Sequence, residues 1–209
     1  MNDIYIFGAG GFAREVFYLI KDLKEYRVKA FVDVTAESPI EVDKQTIEVM
    51  TEAEFDRICQ RETMNVAIAI ANNCVVKKIV AKYSRQCRFP NLIHPSVIRF
   101  GELKMGQGNI VAVGNFFSEK IVLGSFNRFN VHCGIGHDVT IGDYNQFNPG
   151  CKISGAVSIG NENFFGVNSA VLQQINIGNN NVIGASSLII HDVKDGKRYI
   201  GVPAHKFEF

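Results

Sequence analysis

The chain has 209 residues, a formal net charge of +1 and a hydrophobic content of 46%. A near-neutral charge gives no sign of a nucleic-acid-binding surface, and no apolar run reaches the ~18 residues of a membrane span. The first residues lack the basic stretch of a secretion signal, and the five cysteines include no CxxC pair. We therefore expect a cytoplasmic protein with reduced thiols, no membrane insertion and one large or two modest domains.

Short apolar strands alternate with amphipathic helices over the first part of the chain. Strands are expected at residues 4–7, 28–32 and 66–70. Helices are expected at residues 14–23, at about 75–86, and from a capping box at Thr51 and Glu54 to about residue 61. Strand, glycine turn and helix begin a βαβ unit. The sequence predicts a small Rossmann-like α/β domain over residues 1–90, with a mainly parallel sheet.

The turn after the first strand carries a phosphate-binding pattern. Gly8-x-Gly10-x-x-Ala13, followed by Asp33, matches the dinucleotide fingerprint with Ala in the third place. Its glycines let backbone N–H groups approach a phosphate at the start of a helix. Ninety residues hold only half of the two-part dinucleotide fold, so a nucleotide or nucleotide sugar is favoured over NAD. A purely structural tight turn is the alternative.

A six-residue period organises the rest of the chain. Every sixth residue from Ile93 to Ile189 is apolar except Arg99, and no insertion disturbs the phase. The pattern apolar-Gly-x-x-Asn recurs every eighteen residues, first at Met105-Gly106-Asn109 and last at Ile177-Gly178-Asn181. Three sixes make one turn of a triangular prism, in which residues eighteen apart stack at ~4.8 Å. Residues 91–209 are therefore predicted to form an all-β solenoid with a short C-terminal tail.

This frame places Cys133 and Cys151 inward, one turn apart, where they pack rather than react. It places His137 outward, because Ile135, one of the anchors (the apolar residues that recur every six positions), points inward. One turn after His137 stands Gly155, which leaves room for a reactant and exposes a backbone N–H. His137 is thus a candidate general base, oriented by Asp138, beside a candidate oxyanion donor. The alternative is a solvated surface histidine.

Four segments together resemble one family. They are Ile-Phe-Gly-Ala-Gly-Gly at 6–11, Gly-His-Asp-Val-Thr-Ile-Gly-Asp at 136–143, Pro-Gly and Ile-Ser-Gly at 149–155, and Gly-Val-Pro-Ala at 201–204. The chain resembles the NeuD/PglD family of hexapeptide-repeat sugar acetyltransferases over nearly its whole length. The resemblance implies a left-handed parallel β-helix, a homotrimer, and acetyl-CoA as co-substrate without a metal.

The resemblance also implies roles for individual residues. His137 would be the general base and Asp138 its supporting acid. The acetyl-CoA groove between subunits would be lined by Gln146, Gly155, Val167 and Ala185. The nucleotide of the substrate would lie against Gly10, Gly11, Phe12, Asp33, Asn72 and Asn73, and Asn130 would contact the acceptor sugar. Phe12 and Gln146 stand where some members of the family carry histidine, which leaves the substrate and cofactor contacts open.

We expect an acetyl-CoA-dependent enzyme that acetylates the amine of a nucleotide-linked amino sugar in polysaccharide or glycan biosynthesis. Three alternatives are an O-acetyltransferase of the sialic acid type, a non-catalytic trimeric scaffold, and a metal enzyme like the γ-class carbonic anhydrases. His132 and His137 have the spacing H-x4-H, but the position that would supply the third histidine is Ser96. This argues against the metal enzyme.

Overall fold

The computed structural model describes residues 1–34 and 38–207. The chain divides into two compact units, Met1–Leu92 and Ile93–Phe209. Among the described residues, no helix has the length and apolar character needed to cross a bilayer.

The first unit is an α/β domain built on a parallel sheet. Its helices are α1 (Gly11–Leu23), α2 (Glu52–Cys59) and α3 (Asn73–Tyr83). Its strands are β1 (Asn2–Phe7), β2 (Tyr26–Asp33), β3 (Ile40–Val42), β4 (Gln45–Ile47), β5 (Val49–Thr51), β6 (Met64–Ile68) and β7 (Cys87–Arg88). The five-stranded sheet has the order β5-β2-β1-β6-β7, and its strands pair in parallel. Strands β3 and β4 form a separate antiparallel hairpin.

Local capping explains where two helices begin. The Thr51 side chain accepts a hydrogen bond from the Glu54 amide, and Glu54 reaches back to the Thr51 amide, so the predicted capping box is present. Helix α3 begins at Asn73, earlier than predicted, because the Asn72 side chain caps the amides of Cys74 and Val75. The hairpin and β5 were not predicted, since three-residue strands are too short to show a period.

An aromatic cluster holds α2 and α3 against the sheet of the first unit. Phe55 packs edge-on against Tyr5, Phe7 and Tyr83, with ring centroids 5.0 to 5.4 Å apart. The buried Tyr83 hydroxyl donates to Asp56 at 2.6 Å and lies 3.1 Å from Glu52. Burial, followed by the hydrogen bond to Asp56, raises the pKa of Tyr83. The contacts of Tyr83 with Asp56 and Glu52 thus form a polar clamp between helices α2 and α3, beside the aromatic cluster.

The second unit is a three-sided parallel β-helix. Its three edges lie at residues 118–120, 136–138, 154–156 and 172–174 (edge A), 124–126, 142–144, 160–162 and 178–180 (edge B), and 130–132, 148–150, 166–168 and 184–186 (edge C). The face between edges A and B is formed by β10 (Leu103–Met105), β13 (Ile121–Leu123), β16 (Thr140–Ile141), β19 (Ser158–Ile159) and β22 (Asn176–Ile177).

The other two faces follow the same plan. The BC face holds β8 (Leu92–Ile93), β11 (Ile110–Val111), β14 (Arg128–Phe129), β17 (Gln146–Phe147), β20 (Phe164–Phe165), β23 (Val182–Ile183), β25 (Arg198–Ile200) and β26 (His205–Lys206). The CA face holds β9 (Ile98–Arg99), β12 (Phe116–Phe117), β15 (Gly134–Ile135), β18 (Lys152–Ile153), β21 (Ala170–Val171) and β24 (Leu188–Ile189). Antiparallel pairing of β25 with β26 ends the sheet.

The predicted register of eighteen residues is confirmed in this unit. Phe129 pairs with Phe147 and Phe147 with Phe165 across successive coils. Their buried rings stack at centroid distances of 4.5 and 4.7 Å. The residues of the six-residue series are buried from Val111 onward, so they form the hydrophobic core of the β-helix.

Buried polar ladders run beside this core. The side chain of Asn145 donates to the Gly160 carbonyl at 2.9 Å and accepts from the Asn163 amide at 2.9 Å, and its neighbours repeat the pattern. Each repeat glycine at edge B is needed for space, since a Cβ on Gly142 would lie 2.4 Å from the Asn161 side chain. Cys133 and Cys151 are buried free thiols, as predicted; hydrogen bonding between them and burial raise the pKa of Cys133.

Candidate active site

His137 and Asp138 lie together on edge A and face outward. Nδ1 of His137 lies 2.8 Å from Oδ2 of Asp138. The side chains are 61% and 48% exposed. The inward neighbours Ile135 and Val139 are buried and fix the phase of this turn. The edge therefore presents an imidazole and a carboxylate, already hydrogen-bonded to each other, to whatever binds there.

The His137 ring lies directly over Gly155, one coil further on. A Cβ added to Gly155 would be 2.5 Å from Nε2 of His137 and 2.6 Å from Cε1. The space beside Gly155, which we expected a reactant to occupy, is thus filled by the imidazole itself. This corrects the expectation that the missing side chain leaves an empty space, because the glycine instead lets the ring rest on the backbone.

This geometry selects the form of the imidazole that can act as a base. An ionised carboxylate only accepts hydrogen bonds, so its partner nitrogen Nδ1 carries the proton in neutral His137. The lone pair is then on Nε2, the atom beside Gly155. Within the described part of the chain, the Gly155 amide donates no hydrogen bond to the protein. A proton acceptor and a free backbone donor therefore lie side by side.

Two charged residues one coil before this pair were missed from the sequence. Nζ of Lys120 lies 4.0 Å from Oδ1 of Asp138 and 4.0 Å from Oε1 of Glu119. The Asp138 amide also donates to the Glu119 carbonyl at 3.1 Å. The eighteen-residue register could have found both, since residue 119 stacks on 137 and residue 120 on 138.

The remaining groove residues lie elsewhere on the β-helix. Val167 and Ala185 are exposed on edge C, one coil apart. Gln146 is on the BC face next to that edge and lies 3.4 Å from both Arg128 and Asn148. Only Gly155, of the four residues predicted to line the acetyl-CoA groove, shares edge A with His137. Within one copy, the other three are separated from His137 by the CA face.

Asn130 also lies on edge C rather than beside His137. Its Oδ1 accepts a hydrogen bond from the Val131 amide at 2.7 Å. His132, two residues on, rests against Gly114 as His137 rests against Gly155: a Cβ on Gly114 would be 2.4 Å from Nδ1 of His132. The two histidines occupy different edges of the β-helix. Across residues 1–34 and 38–207, no three His, Cys, Asp or Glu side chains converge as a metal-binding group.

The six residues assigned to the nucleotide all lie at the carboxyl edge of the first unit's sheet. Gly10 and Gly11 follow β1, Asp33 ends β2, and Asn72 and Asn73 follow β6. Because β1 pairs with β2 on one side and β6 on the other, the strand order reverses here. Ligands of open α/β sheets bind at such a reversal, outside the carboxyl ends of the strands.

The glycine turn leaves the start of α1 open. Gly8 has φ +106°, and a Cβ there would be 2.8 Å from the Ala69 carbonyl oxygen, so only glycine fits. Gly10 precedes α1 without a capping side chain, and apart from its chain neighbours no described residue comes within 4 Å of the position of its Cβ. The first-turn amides of α1 are therefore available to an anion.

Two side chains change the expected contacts at this turn. Oδ1 of Asn72 already caps α3, which leaves its amide nitrogen as the free donor. The guanidinium of Arg14, which was not predicted as a site residue, lies 3.9 Å from the Cβ position of Gly11. Phe12 is half-buried beside it in the first turn of α1. The edge thus offers amides, a cation and an aromatic ring.

A family model described as the PglD N-terminal domain matches residues 3–83. The matched residues lie within the first unit, which therefore resembles that domain. This match and the solved structures below confirm the resemblance to the NeuD/PglD family. No curated protein matches the chain at a significant level.

Several solved structures share the fold of the whole chain. PerB from Caulobacter crescentus, solved with CoA and GDP-perosamine, is 25% identical, has a TM-score of 0.91, and the match covers 100% of this chain and 98% of PerB. The acetyltransferase domain of PglB from Neisseria gonorrhoeae, with acetyl coenzyme A, is 24% identical with a TM-score of 0.91, covering 99% and 100%. WeeI from Acinetobacter baumannii is 23% identical with a TM-score of 0.85, covering 99% and 100%. They confirm the fold class, an α/β domain followed by a left-handed parallel β-helix.

Proposed function

We propose that this chain is an acetyl-CoA-dependent N-acetyltransferase that acts on the amine of a nucleotide-linked amino sugar. The observation that carries the proposal is the outward His137 and Asp138 pair, with Nε2 beside Gly155, whose amide donates no hydrogen bond to the described residues. The comparisons support the same reaction, because PerB was solved with CoA and a GDP-linked perosamine and the PglB domain with acetyl-CoA.

The reaction is a direct transfer. The sugar amine attacks the thioester carbonyl while Nε2 of His137 takes its proton, and Asp138 stabilises the imidazolium that forms. The carbonyl oxygen becomes an oxyanion, which the Gly155 amide receives. The C–S bond then breaks, the amide product forms, and the CoA sulfur leaves and takes up a proton. General base action of this kind contributes about 100- to 10,000-fold to the rate.

We propose that acetyl-CoA binds where edge A of one copy meets edge C of another in a homotrimer. Within one copy Gly155 is separated from Gln146, Val167 and Ala185, so a groove using all four needs two copies. The exposed apolar side chain of Val167 (43%) is consistent with a surface that becomes covered on assembly.

The nucleotide is proposed to bind at the carboxyl edge of the first unit. Its phosphates would accept hydrogen bonds from the amides of Gly10 and Gly11 and the Arg14 guanidinium, and Phe12 would stack on the base. Asp33 and the amide groups of Asn72 and Asn73 would bind ribose or base, while Asn130 would contact the acceptor sugar. We propose a role in cell-surface glycan biosynthesis, in the cytoplasm, where acetyl-CoA is available.

The test is thiol release from acetyl-CoA with UDP-, GDP- and dTDP-linked 4-amino sugars as acceptors. We expect one nucleotide series to react and the product to carry an acetamide by mass spectrometry and NMR. An ester product on a free sugar would instead favour O-acetylation. Failure of every acceptor, together with no acetyl-CoA binding by calorimetry, would favour the scaffold alternative.

The residue-level test is His137→Ala. We expect kcat to fall by at least about 100-fold, while acetyl-CoA binding and the oligomeric state by light scattering stay as in the wild type. His205→Ala is the control, because His205 lies in β26 and has no assigned role in the groove, and it should keep most of its kcat. A His137→Ala variant with near-normal kcat would refute the assignment.

A further inference from the structure

The charges around the His137 and Asp138 pair come from a small set of residues. On the preceding coil, Lys120 contacts both Asp138 and Glu119 at 4.0 Å. On the following coil, Gly155 and Ala156 carry no charge. The nearest cation on the CA face, Lys152, reaches the His132 carbonyl at edge C with an N–O distance of 2.6 Å. Among the described residues, Lys120 is therefore the cation that faces Asp138.

The Asp138 carboxylate lies between two donors. Its Oδ2 accepts from Nδ1 of His137, and its Oδ1 faces the Lys120 ammonium. The contact with His137 is a hydrogen bond and the contact with Lys120 is a charge–charge approach, and rotation of the carboxylate would weaken both. Lys120 thus favours the orientation that keeps the imidazole proton on Nδ1 and the lone pair on Nε2.

Lys120 also changes the net charge that the imidazole experiences. Glu119 and Asp138 each place a carboxylate 4.0 Å from the Lys120 ammonium, so these three groups form a charge cluster next to His137. An imidazolium has no lone pair on Nε2 and cannot accept the proton of the substrate amine. One ammonium beside the two carboxylates offsets one of their two negative charges, which favours the neutral imidazole.

We propose that Lys120 is a positioning residue for the acetyl transfer, acting through Asp138 to keep Nε2 of His137 oriented and unprotonated. The role rests on the proposed function of His137 as general base. Lys120 does not contact the reacting atoms, and its side chain is 72% exposed. Its effect is therefore electrostatic and sensitive to ionic strength.

The test compares the pH dependence of kcat/KM for wild type, Lys120→Met, Lys120→Arg and Lys120→Glu at low salt. In Lys120→Met the acidic limb of the profile should move to higher pH by about half a unit, the size expected for one charge at a water-screened distance. Lys120→Glu should move it further and Lys120→Arg should restore it. Lys104→Met, which removes a cation from the exposed surface of β10, is the control and should match the wild type.

The salt dependence of the pH profiles distinguishes an electrostatic role of Lys120 from a structural one. At 1 M salt the screening length falls to about 3 Å, so the wild-type and Lys120→Met profiles should coincide. A loss of activity caused by misfolding would persist at high salt. Low-salt profiles that superimpose for wild type and Lys120→Met would overturn the proposal.

A second readout does not need turnover. The ring resonances of His137, followed by NMR against pH, should titrate at higher pH in Lys120→Met than in the wild type, and at the wild-type position in Lys120→Arg. If the wild type transfers no acetyl group, the proposed function fails, and this shift still reports the coupling of Lys120 to His137. An unchanged titration in an active enzyme refutes the role of Lys120 alone.

Discussion

The imidazole of His137 rests on the backbone of Gly155, with Nε2 only 2.5 Å from where a Cβ of that residue would be. The ring is therefore held from two sides, by the glycine below and by Asp138 at Nδ1. Position 155 determines the location of the proposed base, and any larger residue there must displace the ring.

Gly155→Ala should reduce kcat by about 100-fold with little change in thermal stability. The added methyl group pushes the imidazole away from Asp138, and a displacement of about 1 Å in a reacting group costs a factor of this size. Steady-state kinetics and the melting temperature measure the two effects. Gly134→Ala is the control on a neighbouring strand, because its Cβ would meet only the flexible Lys152 chain, at 3.3 Å. Equal activity of the two alanine variants would contradict the packing argument.

Asp138→Asn should lower kcat by about 100-fold or more. A carboxamide can donate to Nδ1, which would move the imidazole proton to Nε2 and remove the lone pair needed for the amine proton. Asp138→Glu keeps a carboxylate and should retain more activity. The ¹⁵N shifts of His137 should report the change of tautomer directly. If the asparagine variant keeps the Nδ1–H tautomer, its loss of activity needs another explanation.

Asn145→Ala should destabilise the β-helix more than Asn181→Ala. The Asn145 side chain bonds to the coils on both sides, and its loss leaves the buried Asn163 amide without an acceptor. Leaving such groups unsatisfied should cost roughly 3 kcal/mol. Asn181 ends the ladder, and its side-chain nitrogen has no partner among the described residues, so roughly 1 kcal/mol is expected. Urea unfolding at equal protein concentration gives both values, and equal costs would refute the ladder argument.

The clamp between α2 and α3 should give the first unit an acid-sensitive stability. Burial raises the pKa of Asp56, but hydrogen bonds from Tyr83 and Lys82 outweigh it and leave the pKa below its ordinary value. A carboxyl with a depressed folded-state pKa contributes stability above its unfolded pKa of about 3.9 and loses it as the pH falls through the folded value. The free energy of unfolding should therefore fall below about pH 4, and less steeply in Asp56→Asn.

Tyr83→Phe is the companion to that experiment. It removes one hydrogen bond to Asp56 but keeps the aromatic ring packed against Phe55. Its stability should depend on pH less than that of the wild type and more than that of Asp56→Asn, because Lys82 still contacts the carboxylate. Denaturant unfolding between pH 7 and pH 3 measures the slopes. Identical slopes for all three proteins would exclude the clamp as their source.

The sequence by itself determined the coil, its register and the direction of each side chain in it. A strict six-residue period admits one arrangement of anchors, because slipping by one residue would expose the apolar column and bury polar side chains. For that reason the outward placement of His137, the inward cysteines and the stacking of residue 137 on 155 followed from spacing alone. The capping box at Thr51 followed from two residues in local contact.

Only the tertiary structure decided what the side chains do once placed. Spacing put Gly155 beneath His137, but whether the ring fills that space or leaves it open depends on its rotamer and on Asp138. The offsets of Gln146, Val167 and Ala185 from His137 are not multiples of eighteen, so the register could have placed these three residues by a different edge, as the structure does. The register could also have placed Glu119 and Lys120 on the coil beside the pair, but the 4.0 Å approach of Lys120 to both carboxylates depends on side-chain conformations that spacing does not give.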